Sequence, residues 1–133
     1  MTDEDLIEQF ENRTLPEAEF HHAMHVRMAW AYLCRYPVLE AIGRFSEALK
    51  AYAASLGHAG LYHETITWGH IFLIHERMVR AAKDQSWDEF AEGNPDILDW
   101  RGGIFRQYYS DKVIASDIAK RVFVLPEVVS HEG

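Results

Sequence analysis

Pro37-Val38-Leu39-Glu40-Ala41-Ile42-Gly43-Arg44-Phe45-Ser46-Glu47-Ala48-Leu49-Lys50-Ala51-Tyr52-Ala53-Ala54-Ser55-Leu56 carries the plainest pattern in the chain. Leu39, Ile42, Phe45, Leu49, Ala53 and Leu56 recur at steps of three and four, while Glu40, Arg44, Glu47 and Lys50 fall between them. That is the period of a helix with one apolar stripe, predicted to bury Leu39, Ile42, Phe45, Leu49 and Leu56. Pro37 opens this helix and Gly57 to Gly60 form the loop that follows it.

Working outward, the punctuation stays helical. Thr2 can cap a short first helix containing Leu6, Ile7 and Phe10. Thr14-Leu15-Pro16-Glu17 has the form of a capping box, predicting a helix from there to about Arg35 with a break near Phe20 to His22. After the central stripe, Tyr62 to about Ala82 reads as another long helix. Ser86-Trp87-Asp88-Glu89 is a second capping box, Asn94-Pro95 an N-cap with proline at the first helical position, and Ser110 and Ser116 further caps. Hairpin signals are missing, and only Val122 to Leu125 alternates in the manner of a strand. The expected fold is all-α, an irregular helical bundle forming a single domain over residues 1–133.

Composition narrows the function. A chain of 133 residues with a net charge of −8 and no dense Lys/Arg run argues against nucleic acid or an anionic membrane as partner. A small molecule is the compatible partner, and a homo-oligomer is compatible with the composition too. Cys34 is the lone cysteine, which excludes an internal disulfide and a Cys-rich zinc site, and reads as a small buried hydrophobe. The acidic start Thr2-Asp3-Glu4-Asp5 lacks the character of an export signal, and no apolar run reaches the roughly 20 residues of a membrane span. The cytoplasm is the expected compartment.

Eight histidines in so small an acidic domain call for a closer reading. On a helical wheel for Phe20 to Tyr36, Arg27 and Arg35 mark the wet side, and His22 falls in the opposite stripe with His25 one turn on. On a wheel for Tyr62 to Ala82, Glu76, Arg77 and Arg80 mark the wet side, which places Glu64 and His75 opposite, beside Thr67 and Trp68. A carboxylate in a buried stripe is costly unless it is paired, protonated or bound to metal. Three readings follow. His22, His25 and Glu64 form a metal site for Zn or Fe, with His63 or His75 as a further ligand or outer partner. Alternatively, the same residues form a metal-free hydrogen-bond network that registers the helices. In the third reading His and Glu act as a general acid/base pair, although no nucleophile motif accompanies them. Arg101-Gly102-Gly103 with Arg106 reads as a hinge with solvated arginines rather than an anion site.

The segment Phe20-His21-His22-Ala23-Met24-His25-Val26-Arg27-Met28-Ala29-Trp30 with Tyr32-Leu33, together with Tyr62-His63-Glu64-Thr65-Ile66-Thr67, resembles a family of small bacterial all-helical proteins. Its members share an F-x-H-x-x-H-[VL]-R-x-A-W-x-Y-L segment and a Y-H-E-T-I-T segment. The resemblance extends over most of the chain and implies that His22, His25, His63 and Glu64 belong to one site. It brings no substrate, cofactor or reaction with it.

Overall fold

The computed structural model describes residues 2–127, within which all regular structure is helical. Four helices build the body: α1 (Asp3–Glu11), α2 (His22–Arg35), α3 (Val38–Ser55) and α4 (Glu64–Arg80). Five short ones follow: α5 (Trp87–Gly93), α6 (Pro95–Leu98), α7 (Phe105–Tyr108), α8 (Asp111–Ile114) and α9 (Asp117–Arg121). Two 3₁₀ turns, Glu17–Glu19 and Ala59–Leu61, lead into α2 and α4. The all-α bundle expected from the sequence is the fold observed.

Most of the expected caps form. The Thr2 and Ser86 hydroxyls accept from the backbone N–H three residues on, with Asp5 and Glu89 closing each box. Ser110 and Ser116 cap α8 and α9, and Pro95 stands in the first turn of α6. Each cap satisfies orphan donors that would otherwise weaken a helix of four or five residues. Thr14 does not cap. Its hydroxyl donates to the Gln9 carbonyl, and the chain makes only the 3₁₀ turn Glu17–Glu19 before α2 starts at His22. The Val122 to Leu125 alternation gives an extended segment rather than a strand, pinned through the Thr65 hydroxyl to the Val122 carbonyl and the Val124 N–H.

Helix α2 is the hub, packing on α1, α3, α4 and α6. Its middle, Met28 to Tyr32, is buried on every side. Phe10 anchors the core on the α1–α3 side, with the rings of Phe20, Tyr32, Phe45 and Tyr52 around it. Buried hydroxyls at its edge are paired, Tyr32 with the Glu11 carboxylate and Tyr52 with the Leu15 carbonyl.

Three expectations about side chains are corrected here. Leu39 is 75% exposed, because the buried face of α3 is centred on Phe45, Leu49 and Tyr52, and Leu39 lies roughly 100° around the helix from it. Leu56 is half-buried rather than buried. Cys34 is exposed on the last turn of α2, although partial burial of its thiol pushes the pKa up to about 11. At the Arg101–Gly103 turn, Asp99 accepts from the backbone of Arg101 and Gly102. A Cβ at Gly103 would overlap the Asp96 and Asp99 carbonyls, so glycine is required for the close approach. Arg106 is no free cation, since it lies over the Trp100 ring and pairs with Asp111.

Candidate functional site

Between α2, α3 and α4 lies a cavity of about 300 Å³, partly open to solvent and lined mostly by apolar side chains. Phe20, Val26, Phe45, Leu49 and Leu56 form its greasy walls. Helix α2 delivers His22 and His25, one turn apart, and α4 delivers His70 from across the cavity. At the rim Glu17 and His58, both exposed, join the two 3₁₀ turns through a 2.8 Å contact.

Each histidine has a definable state. The Nε2 of His22 lies 3.0 Å from the Ile97 carbonyl, which can only accept, so Nε2 carries the proton and Nδ1 the lone pair. For His70 the contact is Nδ1 to the Ile66 carbonyl at 2.8 Å, one turn back on its own helix. Its Nε2 lone pair is therefore the free one, and that atom is buried without a partner among the described residues. His25 stacks its ring 3.9 Å from Phe20, and neither of its nitrogens bonds a described residue. Burial holds all three imidazoles neutral. It lowers His22 below the usual histidine range, takes His70 down to about 4, and takes His25 down to about 3 with the neighbouring His22 and His70 assisting.

A second layer supports His70. Phe105 of α7 stacks on its imidazole at 4.2 Å, and the His22 ring meets it edge-on at 5.2 Å, with Trp100 against both. Phe105 can come this close because residue 69 is glycine; a Cβ there would stand 2.7 Å from the Phe105 ring.

Not all the residues expected at this site meet in it. His22, His25 and His63 line the cavity; Glu64 and His75 do not. His63 is the N-cap of α4: its Nδ1 accepts from the Ile66 N–H at 3.1 Å and its Nε2 donates to the Ile114 carbonyl at 2.8 Å. Both nitrogens are committed to structure. Glu64 opens α4 in the first turn, where the helix dipole favours a carboxylate, and accepts from the Tyr62 hydroxyl at 2.5 Å. Among the described residues no three His, Cys, Asp or Glu side chains are grouped so as to hold one metal ion.

The residue that sequence reading missed is His70, because α4 turns Arg77 inward and leaves apolar Phe72 and Val79 exposed. Taken as a marker of the wet side, Arg77 is in fact half-buried, bidentate with Asp96 and bonded to Asn94. Arg77 accounts for only roughly 30° of the misrotation; the rest comes from Phe72 and Val79, apolar yet 37% and 69% exposed, which mark the true wet side, so that His75 was turned inward and His70 outward. Asp96 and Asn94, two candidate partners beside a helix-start proline, were the available signal that Arg77 points inward.

No family model matches this chain, and no curated protein or solved structure does either, so the geometry of the cavity carries the functional reading.

Proposed function

We propose that the protein is a helical small-molecule-binding domain whose ligand occupies the cavity between α2, α3 and α4. The observation that carries this reading is the cavity itself, about 300 Å³ of mostly apolar wall with imidazoles set into it. That size is at the lower end of ligand pockets, and about twice the roughly 150 Å³ that holds benzene in an engineered core. A two-ring molecule, or about a dozen heavy atoms, matches it. Catalysis has weaker support. Histidines held at about 3 and about 4 are poor proton acceptors near neutral pH, where a general base works best with a pKa near the ambient pH. A cytoplasmic setting is part of the proposal, supported by the acidic composition and the lone cysteine. Among the described residues no helix is long and apolar enough to cross a membrane.

The test is a titration of the full chain with naphthalene, followed by methyl NMR. Shifts should concentrate on Val26, Leu49, Leu56 and Ile66, and Ala53→Phe, which fills the cavity from α3, should abolish them while the helical circular-dichroism spectrum persists. Shifts spread over the surface, or none, would end the proposal.

A second reading keeps a metal, Zn or Fe, in this cavity. The Nε2 of His70, buried without a partner among the described residues, and the nearby His25, which makes no hydrogen bond to a described residue, favour it. It loses support from His63, whose nitrogens are both bonded, and from Glu64, which is bonded to Tyr62 outside the cavity. Elemental analysis of protein purified without chelator separates the two readings: a stoichiometric metal lost in His22→Leu would favour this one.

A further inference from the structure

Among the described residues, the side-chain polar groups around the cavity other than His25 have their hydrogens already spent. Tyr52 donates to the Leu15 carbonyl, Tyr62 to the Glu64 carboxylate, and Thr67 to the His63 carbonyl. His22, His63 and His70 donate to the carbonyls of Ile97, Ile114 and Ile66. At the rim the His58 nitrogen facing the Glu17 carboxylate must donate as well. Since a carbonyl or carboxylate oxygen can only accept, each assignment follows from the partner and needs no view of the hydrogens. Left over are lone pairs: Nδ1 of His22, one nitrogen of His25 and the hydroxyl oxygens, with Nε2 of His70 a further one buried behind them. Among the described side chains of the lining, the single donor without a partner is the N–H of neutral His25. The lining includes no Lys or Arg, and the one carboxylate on it is Glu17.

Such a lining discriminates by hydrogen-bond polarity. A carboxylate or phosphate would lose its water, find one donor, and face several lone pairs and a rim carboxylate. A group bearing its own hydrogen is matched, because a buried acceptor left without a donor carries an uncompensated desolvation cost. A hydroxyl suits the site best, because its hydrogen can go to a ring lone pair of His25 or His22, while an ether oxygen has none to give.

We infer that the cavity selects an uncharged, largely apolar molecule ending in a hydroxyl, an alcohol or phenol of about two rings, and rejects the corresponding acid and ether. This rests on the binding reading above and sharpens it to a ligand class.

The experiment compares four probes on the full chain at pH 7.5 by calorimetry: naphthalene, 2-naphthol, 2-methoxynaphthalene and 2-naphthoate. We expect 2-naphthol to bind at least tenfold more tightly than the ether or the hydrocarbon, with the carboxylate weakest. In His25→Leu the preference for 2-naphthol over naphthalene should fall below threefold while naphthalene still binds. In His25→Gln, which keeps a donor and an acceptor, the preference should survive. Naphthalene or the ether binding as well as 2-naphthol would overturn the inference and leave the cavity reading standing. The carboxylate binding best would do the same. If none of the four binds, both fall. Should His25→Leu fail to fold, unchanged selectivity in His25→Gln still supports the inference and its loss on replacing His25 by Asn, too short to reach the same point, is the second arm; equal selectivity in both variants would sink it.

Discussion

Helices α3 and α4 face each other across the same cavity, yet they stabilise the bundle in different ways. The inner face of α3 is apolar apart from Ser46, with Ala41, Ile42, Phe45, Leu49 and Tyr52 packed against α1 and α2. The inner face of α4 interleaves Thr65, Thr67 and His70 with Ile71, Leu73 and Ile74. Apolar burial is non-directional and scales with area, so α3 can be held by any well-shaped neighbour. Polar groups on α4 must each find a particular partner: Thr65 the Val122 and Val124 backbone, Thr67 the His63 carbonyl, His70 the Ile66 carbonyl. The α3 face supplies stability, and the α4 face supplies positional information for the site.

The largest effect should come from breaking the α3 side. Phe45 is 2% exposed and contacts both Phe10 and Tyr32 through its ring. Phe45→Ala should cost about 3–5 kcal/mol in urea unfolding, the usual range for a buried ring. A cost below about 1 kcal/mol, well under that range, would show that α3 is not the apolar anchor of the core.

The next effect belongs to α4 and its partner histidines, and it depends on pH. His25 and His70 titrate near the ordinary 6.5 in the unfolded chain but at about 3 and about 4 in the folded one. Above pH 6.5 both states hold them neutral and they add no pH dependence. As pH falls below 6.5 the unfolded chain takes up protons that the folded chain refuses, so stability drops until the folded pKa values are reached. The slope should be about 1–3 kcal/mol per pH unit between pH 6 and 4.5, with about 1.4 as the ceiling for each histidine. The Asp96 carboxylate, held below its ordinary 3.8 by the Arg77 guanidinium, loses its own contribution mainly as pH falls past that value, below this window. Replacing His70 by Leu should flatten the limb by about half; an unchanged limb would show that His70 is already hydrated or charged in the fold.

This contrast also explains what could be read in advance. The period of Ile42, Phe45 and Leu49 survives in the structure because an apolar stripe declares itself by composition, whatever it packs against. The caps at Thr2, Ser86, Ser110 and Ser116 were legible because capping is local chemistry. His22 and His25 were legible because Arg27, although only 30% exposed, pairs with Asp3 of α1 and lies outside the cavity wall. On α4 the wheel failed because the wet side carries apolar Phe72 and Val79, while Arg77 turns in toward Asp96 and Asn94 some 17 to 19 residues later in the chain. The binding partners of Glu64 and His63 were illegible for a related reason: both sit at a helix start that lies two residues beyond the expected one, where caps and dipole rather than periodicity decide orientation.

Arg77 gives a smaller and more specific test. Its bidentate pair with Asp96 is partly exposed, 28% and 39% for the two side chains, so Arg77→Met should cost only about 1 kcal/mol. The informative readout is elsewhere. Arg77 ties α4 to α6, and α6 carries the Ile97 carbonyl that fixes the tautomer of His22. Histidine NMR of Arg77→Met should therefore show a change at His22 but none at His63, whose partner is Ile114. Equal changes at both would mean a general loosening instead of a link through α6.

The smallest expected effect falls on Leu39, where the sequence pattern and the observed face of α3 disagree. By spacing alone Leu39 belongs to the stripe, yet it is 75% exposed on the first turn of the helix. Truncating it removes little area from contact with the protein, and alanine is at least as good a helix former as leucine. Leu39→Ala should thus leave stability within about 0.5 kcal/mol, the ordinary range for surface substitutions, against the several kcal/mol expected at Phe45 six residues away on the same helix. Unfolding should be followed at two protein concentrations differing a hundredfold. If Leu39→Ala costs about 2 kcal/mol or more, a core-type loss, at the higher concentration alone, then Leu39 is covered by a second copy of the chain. A loss of that size at both concentrations would mean that the apolar face of α3 reaches Leu39 after all, and the division between an α3 anchor and an α4 site would have to be redrawn.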